Sequence, residues 1–496
     1  MKSGSLTGYV SWLMAAKTLV FLFNLALPIL LVRRLDLTEF GIYKQLFLVI
    51  GTSVVVLPLG FAMNAYYFLP REPDRRAQTV WNIFLINLLI GGLACAALTL
   101  RPELLGIIFH QSGLTGYANV MGVVIMLWIL SSAIEIIPIA QGEMKFASVM
   151  IMSVQLTRTS IYLAAVIVFG TVRALLYAAV LQGTLQTIVL CWYMRSRFGH
   201  FWRRPDFGLL RRQLSYAVPL GLAGLLYTMQ TDLHDYFVSN RLGAAVFAIY
   251  AVGTVDLPLV NLLQEATNAV LIPHVSELQH LNDNRGILLL MARATRKLAA
   301  AYFPVYAFLF VAAPEVISLV FTRRYLASVP VFLINLTLLL SGTLLLDPLF
   351  RAFQDQRFFL IRVRVVLCAL LVAGLWYGIR HFGGIGAITT VVIISVAERI
   401  VTAVRFGHVL GVTRKDIVLL KDIGKLAMAA AAAGLVTALV RLPLRGERPF
   451  IVLIACGTVF ALVYLAGVLL AGVVTPEEKD LLWRKIAALG LLMGGL

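Results

Sequence analysis

The sequence predicts an all-α integral membrane protein with fourteen transmembrane helices. Of its 496 residues, 60% are hydrophobic and only 13% are charged, whereas soluble globular chains are roughly 45–50% apolar and about 25% charged. The apolar residues form long runs rather than short alternating segments, which favours a helical bundle over a membrane β-barrel. The charged residues gather in the connections between these runs.

Fourteen runs are long enough to cross a bilayer, since a spanning helix requires roughly 20 mostly apolar residues. In chain order they are 8–32, 37–67, 79–100, 117–140, 147–170, 173–194, 213–239, 243–272, 296–321, 325–350, 359–380, 384–407, 423–441 and 449–473. Several exceed the minimum length, and we expect these helices to tilt or to extend into water.

The basic residues between the helices predict the orientation of the chain. Most of the 42 lysine and arginine residues fall in one set of alternate connections, the longest of which is the basic segment 195–213. Cytoplasmic connections are rich in Lys and Arg. We therefore expect this set, and both termini, on the cytoplasmic side.

Segment 195–213 also marks the boundary between two predicted lobes. The N-lobe, 1–205, holds helices one to six, and the C-lobe, 206–410, holds helices seven to twelve. Helices thirteen and fourteen follow in 411–496, and this part ends in a short amphipathic helix on the cytoplasmic surface. That helix is predicted from Thr475 as a cap, Pro476 as its first residue, and mixed apolar and basic residues after them.

A repeated motif links the two lobes. The segments "RRLDLTEFGIYKQL" at 33–46 and "NRLGAAVFAIYAVG" at 240–253 align without a gap and share R-L-x4-F-[GA]-I-Y. Further pairs, such as Pro138 and Pro348, follow in order at similar spacing. The pattern predicts duplication of a six-helix unit. Six helices keep both copies in the same orientation, so the bundles are related by a pseudo-twofold axis along the membrane normal and enclose a cleft suited to alternating access.

Cations inside the predicted helices are the first candidates for a substrate site, because ionisable groups at membrane depth are costly. The four cations are Lys17, Lys44, Arg158 and Arg399. Asn24 lies seven residues after Lys17 and on nearly the same helix face. We expect these five residues to bind the pyrophosphate and the glycan of an anionic substrate. The alternative is that each cation pairs with a carboxylate on a neighbouring helix and stabilises the bundle.

Carboxylates inside the predicted helices are candidates for coupling to protons or sodium ions. Asp232 and Asp235 lie in the seventh helix, within "YTMQTDLHDYF", and Asp256 and Glu265 lie in the eighth. His234, between the first two, has the side chain that titrates near neutral pH when unperturbed. A single histidine is nevertheless more often a polar packing residue, and structural pairing again remains the alternative for the carboxylates.

Several classes of protein are not indicated. The sequence contains no GxSxG, HExxH or P-loop motif, so no catalytic residue and no nucleotide-driven step is predicted. The four cysteines lie far apart inside apolar runs without metal-ligand spacing, so we expect no metal and no cofactor. The net charge of +18 is distributed as expected for cytoplasmic loops and not as a nucleic-acid-binding patch.

Three segments resemble a known family. They are "LVRRLDLTEFGIYKQL", "LRRQLSYAVPLGLAGLLYTMQTDLHDYFVSNRLGAAVFAIYAVG" and "IPHVSELQHLNDNRGILLLMARATRKLA". They are similar to the polysaccharide transporter family, which includes the Wzx-type flippases, within the multidrug/oligosaccharidyl-lipid/polysaccharide exporter superfamily. Phe-[Gly/Ala]-Ile-Tyr after helices one and seven, and the Tyr-Ala-x-Pro entry at 216–219, are typical of that family. Asp235 matches the acidic residue that is usual late in helix seven.

The resemblance implies a transporter and not an enzyme. Such a flippase moves undecaprenyl-pyrophosphate-linked oligosaccharide repeat units from the cytoplasmic to the periplasmic leaflet of a bacterial inner membrane. The units serve O-antigen (lipopolysaccharide) or exopolysaccharide biosynthesis. The implied partners are this lipid-linked oligosaccharide and membrane lipids, with the polysaccharide polymerase and chain-length proteins as further partners of a monomer.

Three other functions remain open at this point. A cation-coupled multidrug exporter of the same superfamily predicts a mainly acidic and aromatic pocket. A lipid II flippase of peptidoglycan synthesis also has fourteen helices. A membrane polymerase or ligase of glycans usually carries a large periplasmic loop, and no connection here is long enough for one.

Overall fold

A computed structural model describes residues 27–199, 202, 206–444 and 446–473, which form α-helices and short 3₁₀ turns without a β-strand. In this part of the chain, ten helices are long and apolar enough to cross a membrane, or eleven if one bent pair counts as a single span. The all-helical membrane fold is therefore confirmed. The count of fourteen and the side on which the termini lie stay predictions. The predicted surface helix after Thr475 lies outside the described residues.

The chain divides into two compact units. The first is Met1–Val252 together with Arg364–Val391, and the second is Gly253–Val363 together with Val392–Leu496. Compactness and internal duplication are separate properties of a chain. The predicted lobes at 1–205 and 206–410, with 411–496 added, therefore stay a prediction.

The described part of the first unit begins with residues 27–34, which are helical. Its further helices are α1 Leu37–Val56, α2 Ala65–Arg71, α3 Arg76–Leu100, α4 Glu103–Phe109, α5 Ala118–Ser131, α6 Ala133–Ala140, α7 Met144–Val168, α8 Val172–Phe198 and most of α9 Phe207–Gly253. The predicted second helix, 37–67, is interrupted after Val56, where Pro58 and Gly60, with φ of 64°, end the regular helix.

A polar network connects helices in the core of the first unit. Gln213 of α9 is fully buried, and its side chain accepts a hydrogen bond from Asn82 Nδ2 at 2.8 Å and donates to Asn64 Oδ1 at 3.0 Å. Apolar side chains that include Phe61 and Tyr193 surround this region. Buried amide pairs of this kind hold membrane helices together, because the apolar surroundings offer no other partners.

The second unit contains the remaining elements. They are α10 Pro258–His280, α11 Asn284–Val320, α12 Val329–Leu336, α13 Leu338–Gly342, α14 Asp347–Ala352, both ends of α15 Arg357–Val409, α16 Lys421–Arg441 and α17 Pro449–Leu470. An ion pair joins α11 to α16, where both Nε and Nη2 of Arg441 lie 2.9 Å from Glu315 Oε1. Apolar contacts among Ala299, Leu426 and Val473 lie in the same bundle.

Helix α15 doubles back on itself at Gly383, where φ is 58°. Thr390 Oγ1 donates to the carbonyl of Gly374 at 3.2 Å, and a Cβ at Gly378 would lie 2.8 Å from the carbonyl oxygen of Gly386. The two limbs are therefore antiparallel and pack through small residues. They correspond to the predicted helices 359–380 and 384–407, and together they make up one of the ten long apolar helices described above.

Candidate functional site

Helix α1 presents the predicted cation Lys44 on an aromatic face. The helix begins with a capping box, in which Asp36 Oδ1 accepts from the N–H of Glu39 at 2.7 Å and Glu39 Oε2 accepts from the N–H of Asp36 at 3.4 Å. Phe40, Lys44 and Phe47 then follow at helical spacing and lie on one face. The Nζ atom of Lys44 is 5.8 Å from the centroid of the Phe40 ring.

Arg158, on α7, lies beside two aromatic rings. Its Cζ atom is 5.2 Å from the ring centroid of Trp128 on α5 and 5.8 Å from that of Tyr162, one turn further along α7. The indole Nε1 of Trp128 donates to the carbonyl of Ala179 at 3.3 Å, which fixes the ring against α8. Cation–π contacts contribute about 0.5–2 kcal/mol each, so both rings hold the guanidinium at this place in the bundle.

Two hydrogen-bond donors in this region lack partners within the described parts of the chain. The guanidinium of Arg158 contacts neither a carboxylate nor a hydrogen-bond acceptor there, and the hydroxyl of Tyr162 is buried without a hydrogen bond. Leaving the buried Tyr162 hydroxyl without a partner costs about 1–3 kcal/mol, whereas the Arg158 side chain is only half-buried. An anionic ligand would offer acceptors to both groups.

Aromatic rings link the two predicted cations. The ring of Phe40, which Lys44 contacts, is 6.0 Å from that of Tyr43, and the Tyr43 ring is 4.6 Å from that of Phe47. The Phe47 ring lies 6.2 Å from the Trp128 ring and 5.9 Å from the Tyr162 ring, in edge-on geometry. We refer to these side chains as the cationic cluster: Phe40, Tyr43, Lys44, Phe47, Trp128, Arg158 and Tyr162.

The same helix α1 contacts one of the predicted acidic residues. Thr52 Oγ1 donates to Oδ2 of Asp232 on α9 at 3.2 Å, and Thr231 Oγ1 donates to the other carboxylate oxygen at 2.9 Å. Lys44 and Thr52 are about 12 Å apart along the helix axis. One helix therefore carries a predicted substrate-binding cation and holds a predicted ion-coupling carboxylate.

His234 and Asp235 form a second polar group on α9. The Nδ1 atom of His234 is 3.2 Å from Asp235 Oδ1 and 3.0 Å from the hydroxyl of Tyr250. In a straight helix His234 and Tyr250 would be about 24 Å apart. They meet because α9 is broken at Gly243, where φ is 79°, and the chain folds back. Tyr250 aligns with Tyr43 in the repeated motif, yet it lies beside an acidic group and not in the cationic cluster.

Three predicted site residues belong to the second compact unit. Asp256 is exposed in the connection after α9, and Glu265 is exposed on α10. Arg399, on the second limb of α15, donates from Nη1 to the carbonyl of Ser341 at 2.9 Å and to that of Leu344 at 3.0 Å. Helix α13 ends at this point, and the guanidinium supplies donors to carbonyls at and beyond this helix end.

The predicted site is thus brought together in part. Lys44 and Arg158 share the cationic cluster, and Asp232 and Asp235 lie in the same compact unit, whereas Lys17 and Asn24 lie outside the described residues. The binding and coupling roles of all nine residues stay predictions. Among the described residues, no group of three or more His, Cys, Asp and Glu side chains is placed to hold a metal ion.

Sequence reasoning missed three residues of this region, namely Trp128, Tyr162 and Thr52. The spacing of Arg158 and Tyr162, four residues apart, is a readable signal for a contact on one helix face. Trp128 and Thr52 gave no such signal. Each meets its partner across helices that are distant in the sequence, and only the packing of α1, α5, α7 and α9 brings them together.

A comparison with protein families matches most of the chain. The family model described as "Polysaccharide biosynthesis protein" matches residues 30–330, a range that includes the whole cationic cluster and the acidic residues of α9. No curated protein sequence matches the chain.

Solved transporter structures have the same fold. The lipid II flippase MurJ in an inward closed conformation superposes with a TM-score of 0.71 at 12% identity, over 96% of this chain and 99% of that chain. An inward-facing multidrug resistance MATE family transporter gives 0.61 at 15% identity, over 79% and 94%. A MOP superfamily transporter from Pyrococcus furiosus gives 0.55 at 14% identity, over 81% and 93%. At these identities the likeness concerns the fold alone.

Proposed function

Because this chain belongs to the polysaccharide biosynthesis protein family and has the fold of MOP superfamily transporters, we propose that it is a lipid-linked oligosaccharide flippase. Its substrate is an undecaprenyl-pyrophosphate-linked repeat unit for O-antigen or exopolysaccharide biosynthesis. The unit moves from the cytoplasmic to the periplasmic leaflet of a bacterial inner membrane, and no covalent step is involved.

The cationic cluster is the observation that carries this proposal. A guanidinium at membrane depth is costly and persists where it contributes to function or to pairing. Arg158 has no carboxylate partner in the described parts of the chain, which weakens the pairing explanation. Its planar fork of donors matches two phosphate oxygens at once. Tyr162 and Lys44 add a hydroxyl donor and a second positive charge to the same cluster.

The low dielectric of the bundle strengthens this recognition. A phosphate that leaves water loses its hydration, and only fixed charges and donors can replace it. The aromatic rings of Trp128 and Tyr162 keep Arg158 in place through cation–π contacts. Lys17 and Asn24 on the first predicted helix, and Arg399 in the second unit, extend the binding role to the glycan and the pyrophosphate. The lipid tail stays in the bilayer throughout.

The coupling of transport is assigned to the acidic side chains. Asp232 is held by Thr52 of α1, so a proton or sodium ion that neutralises this carboxylate changes a contact of the helix that carries Lys44. Asp235, beside His234, gives a second site for an ion. Asp256 and Glu265 complete the proposed coupling set. Energy comes from an ion gradient or the membrane potential, and two six-helix lobes provide alternating access.

A cation-coupled multidrug exporter is the second candidate. The observation that favours it is the group of ionisable side chains on α9, namely Asp232, His234 and Asp235, because a cationic drug requires acidic partners. The cationic cluster opposes it, since a positive drug near Arg158 would be repelled.

The identity of the accumulated intermediate tests the proposal. In a deletion strain we expect the lipid-linked repeat unit to accumulate on the cytoplasmic leaflet and the surface glycan to disappear, with recovery when the intact gene is supplied. Accumulation of lipid II instead would make the protein a peptidoglycan flippase. Normal surface glycan combined with new drug sensitivity would replace the proposal with the exporter. Co-purification with the polymerase or chain-length proteins tests the proposed partners, and the mass of the detergent-solubilised protein tests the monomer.

A further inference from the structure

A groove of about 600 Å³ opens on the surface of the first unit between α7 and α8. Its walls are the last turns of α7 and the first turns of α8, which are joined by residues 169–171. No residue of the cationic cluster lines this groove, although Tyr162 is adjacent in sequence to the lining residue Ile161. Its lining residues include Ala164, Phe169, Arg173, Ala174, Tyr177 and Ala178.

Small side chains create the space, and aromatic ones form its rim. Three of the lining residues, Ala164, Ala174 and Ala178, have short side chains that leave space between the two helices. Phe169 and Tyr177 are 69% and 61% exposed, so the groove faces the lipid rather than the interior of the bundle. An apolar surface of this depth in a membrane protein accepts a hydrocarbon chain.

The groove is about as long as one leaflet of a bilayer is thick. It runs along α8 from Thr171 to Leu181, which is about 15 Å at 1.5 Å per residue. The hydrocarbon core of a bilayer is about 30 Å thick, so this distance covers half of it. An acyl chain of a bilayer phospholipid occupies one leaflet, whereas the chain of a polyprenyl carrier is much longer than this groove.

One end of the groove carries the positively charged side chain of Arg173. Arg173 is exposed at the start of α8, where the two helices meet, and its Cζ atom lies 5.8 Å from the ring centroid of Tyr117. Within the described residues it makes no ion pair with a carboxylate. A guanidinium at the headgroup level, with an apolar groove leading from it toward the bilayer centre, complements a phosphate attached to a hydrocarbon chain.

We propose that this groove binds one anionic phospholipid, with the phosphate on Arg173 and an acyl chain between α7 and α8. The site is separate from the proposed transport of a lipid-linked oligosaccharide, because it lies on the lipid-facing surface and holds a lipid of the surrounding leaflet. Its failure would therefore leave the flippase proposal unaffected.

Native mass spectrometry of the full-length detergent-purified protein tests this site by counting bound lipids after addition of phosphatidylglycerol or phosphatidylcholine. Arg173→Gln removes the cation, and Ala174→Phe fills the groove. Arg380→Gln is the matched control, because Arg380 is also exposed and lies 5.5 Å from the ring centroid of Trp376, yet it does not line the groove. Thermal unfolding of each variant verifies that it is folded.

The expected results separate the contribution of the lipid headgroup to binding from that of the acyl chain. One cation near anionic lipid contributes about 1 kcal/mol, so Arg173→Gln should weaken phosphatidylglycerol binding about fivefold. Phosphatidylcholine binding should fall less, because the choline group already neutralises the phosphate of that lipid. Ala174→Phe should remove one bound lipid whichever headgroup is supplied, and Arg380→Gln should match the wild type. Equal phosphatidylglycerol binding by Arg173→Gln and the wild type would overturn the proposal. So would stronger binding of undecaprenyl phosphate than of phosphatidylglycerol, because the occupant would then be the carrier lipid.

Discussion

Replacement of Arg158 by glutamine is the sharpest test of the cationic cluster. The substitution keeps a side chain of similar length and removes the charge and the guanidinium fork. A hydrogen bond to a charged group contributes about 1.5–3 kcal/mol, and a fork that holds two phosphate oxygens makes two of them. A loss of about 3 kcal/mol corresponds to a roughly hundredfold decrease in the rate at limiting substrate.

The conservative substitution Arg158→Lys separates charge from geometry. Lysine keeps the positive charge but offers a single ammonium group in place of the planar fork. We expect a decrease of roughly tenfold, or about 1.4 kcal/mol, which places this variant between the wild type and Arg158→Gln.

The stability of the Arg158→Gln protein should change little. The substitution removes the cation–π contacts with Trp128 and Tyr162, about 0.5–2 kcal/mol each. It also removes the cost of keeping a charge at membrane depth, which acts in the opposite direction. We therefore expect normal abundance in the membrane and a thermal midpoint close to that of the wild type.

The assay is transbilayer movement of a fluorescent lipid-linked oligosaccharide in proteoliposomes, together with restoration of surface glycan in a deletion strain. Lys145→Gln is the control, because it removes a positive charge at the exposed start of the same helix α7. A wild-type rate for Arg158→Gln at normal abundance would refute the role of the cluster. Loss of folded protein in both Arg158 variants would instead assign Arg158 a structural role.

Two further predictions concern stability. Gly41→Ala should lower the thermal midpoint, because the added Cβ would collide with the carbonyl of Ala244 and overpacking costs about 1–3 kcal/mol. Gly51→Ala is the control and should leave the thermal midpoint unchanged, because Gly51 lies on the same helix and faces open space. The pKa of Asp206 is lowered, chiefly because the N–H of Leu209 donates to its carboxylate. The ionised carboxylate therefore stabilises the folded protein. This stabilisation is complete above the ordinary Asp pKa of about 3.9 and is lost as the pH falls through the lower pKa of the folded state. The difference between the thermal midpoints of Asp206→Asn and the wild type should therefore be constant from pH 7 to about pH 4 and should shrink on further acidification.

Each of these predictions has a clear contrary outcome. Equal thermal midpoints for the alanine variants at Gly41 and Gly51 would mean that α1 and α9 do not pack closely in solution. A difference between wild type and Asp206→Asn that is the same at all pH values would mean that the negative charge of Asp206 does not stabilise the fold.

The sequence was most informative about periodic features. The face of α1 that carries Phe40, Lys44 and Phe47 follows from helical spacing alone, and so does the contact between Arg158 and Tyr162. The capping box at the start of α1 is visible as Asp-Leu-Thr-Glu. These features are local, since the atoms involved are within one or two helical turns of each other.

Breaks in the helices were harder to predict from the sequence. The apolar runs 37–67 and 243–272 read as continuous spans, yet the chain is interrupted after Val56 and between Gly253 and Pro258. Apolar composition does not reveal such a break, because the freed carbonyls and N–H groups are satisfied by other parts of the fold. Arg399 donates to carbonyls at the end of α13, a contact that the sequence did not reveal, and its binding role stays a prediction.

The sequence by itself determined that this protein is a helical membrane protein of the polysaccharide biosynthesis family, because hydrophobicity and the family motifs are properties of the linear chain. The tertiary structure alone decided which side chains the charged groups contact. Arg158 reaches Trp128, Asp232 reaches Thr52, and His234 reaches Tyr250 only through helix packing and the turn at Gly243. Long-range contacts depend on how the helices pack, and helical periodicity within one segment carries no information about its neighbours.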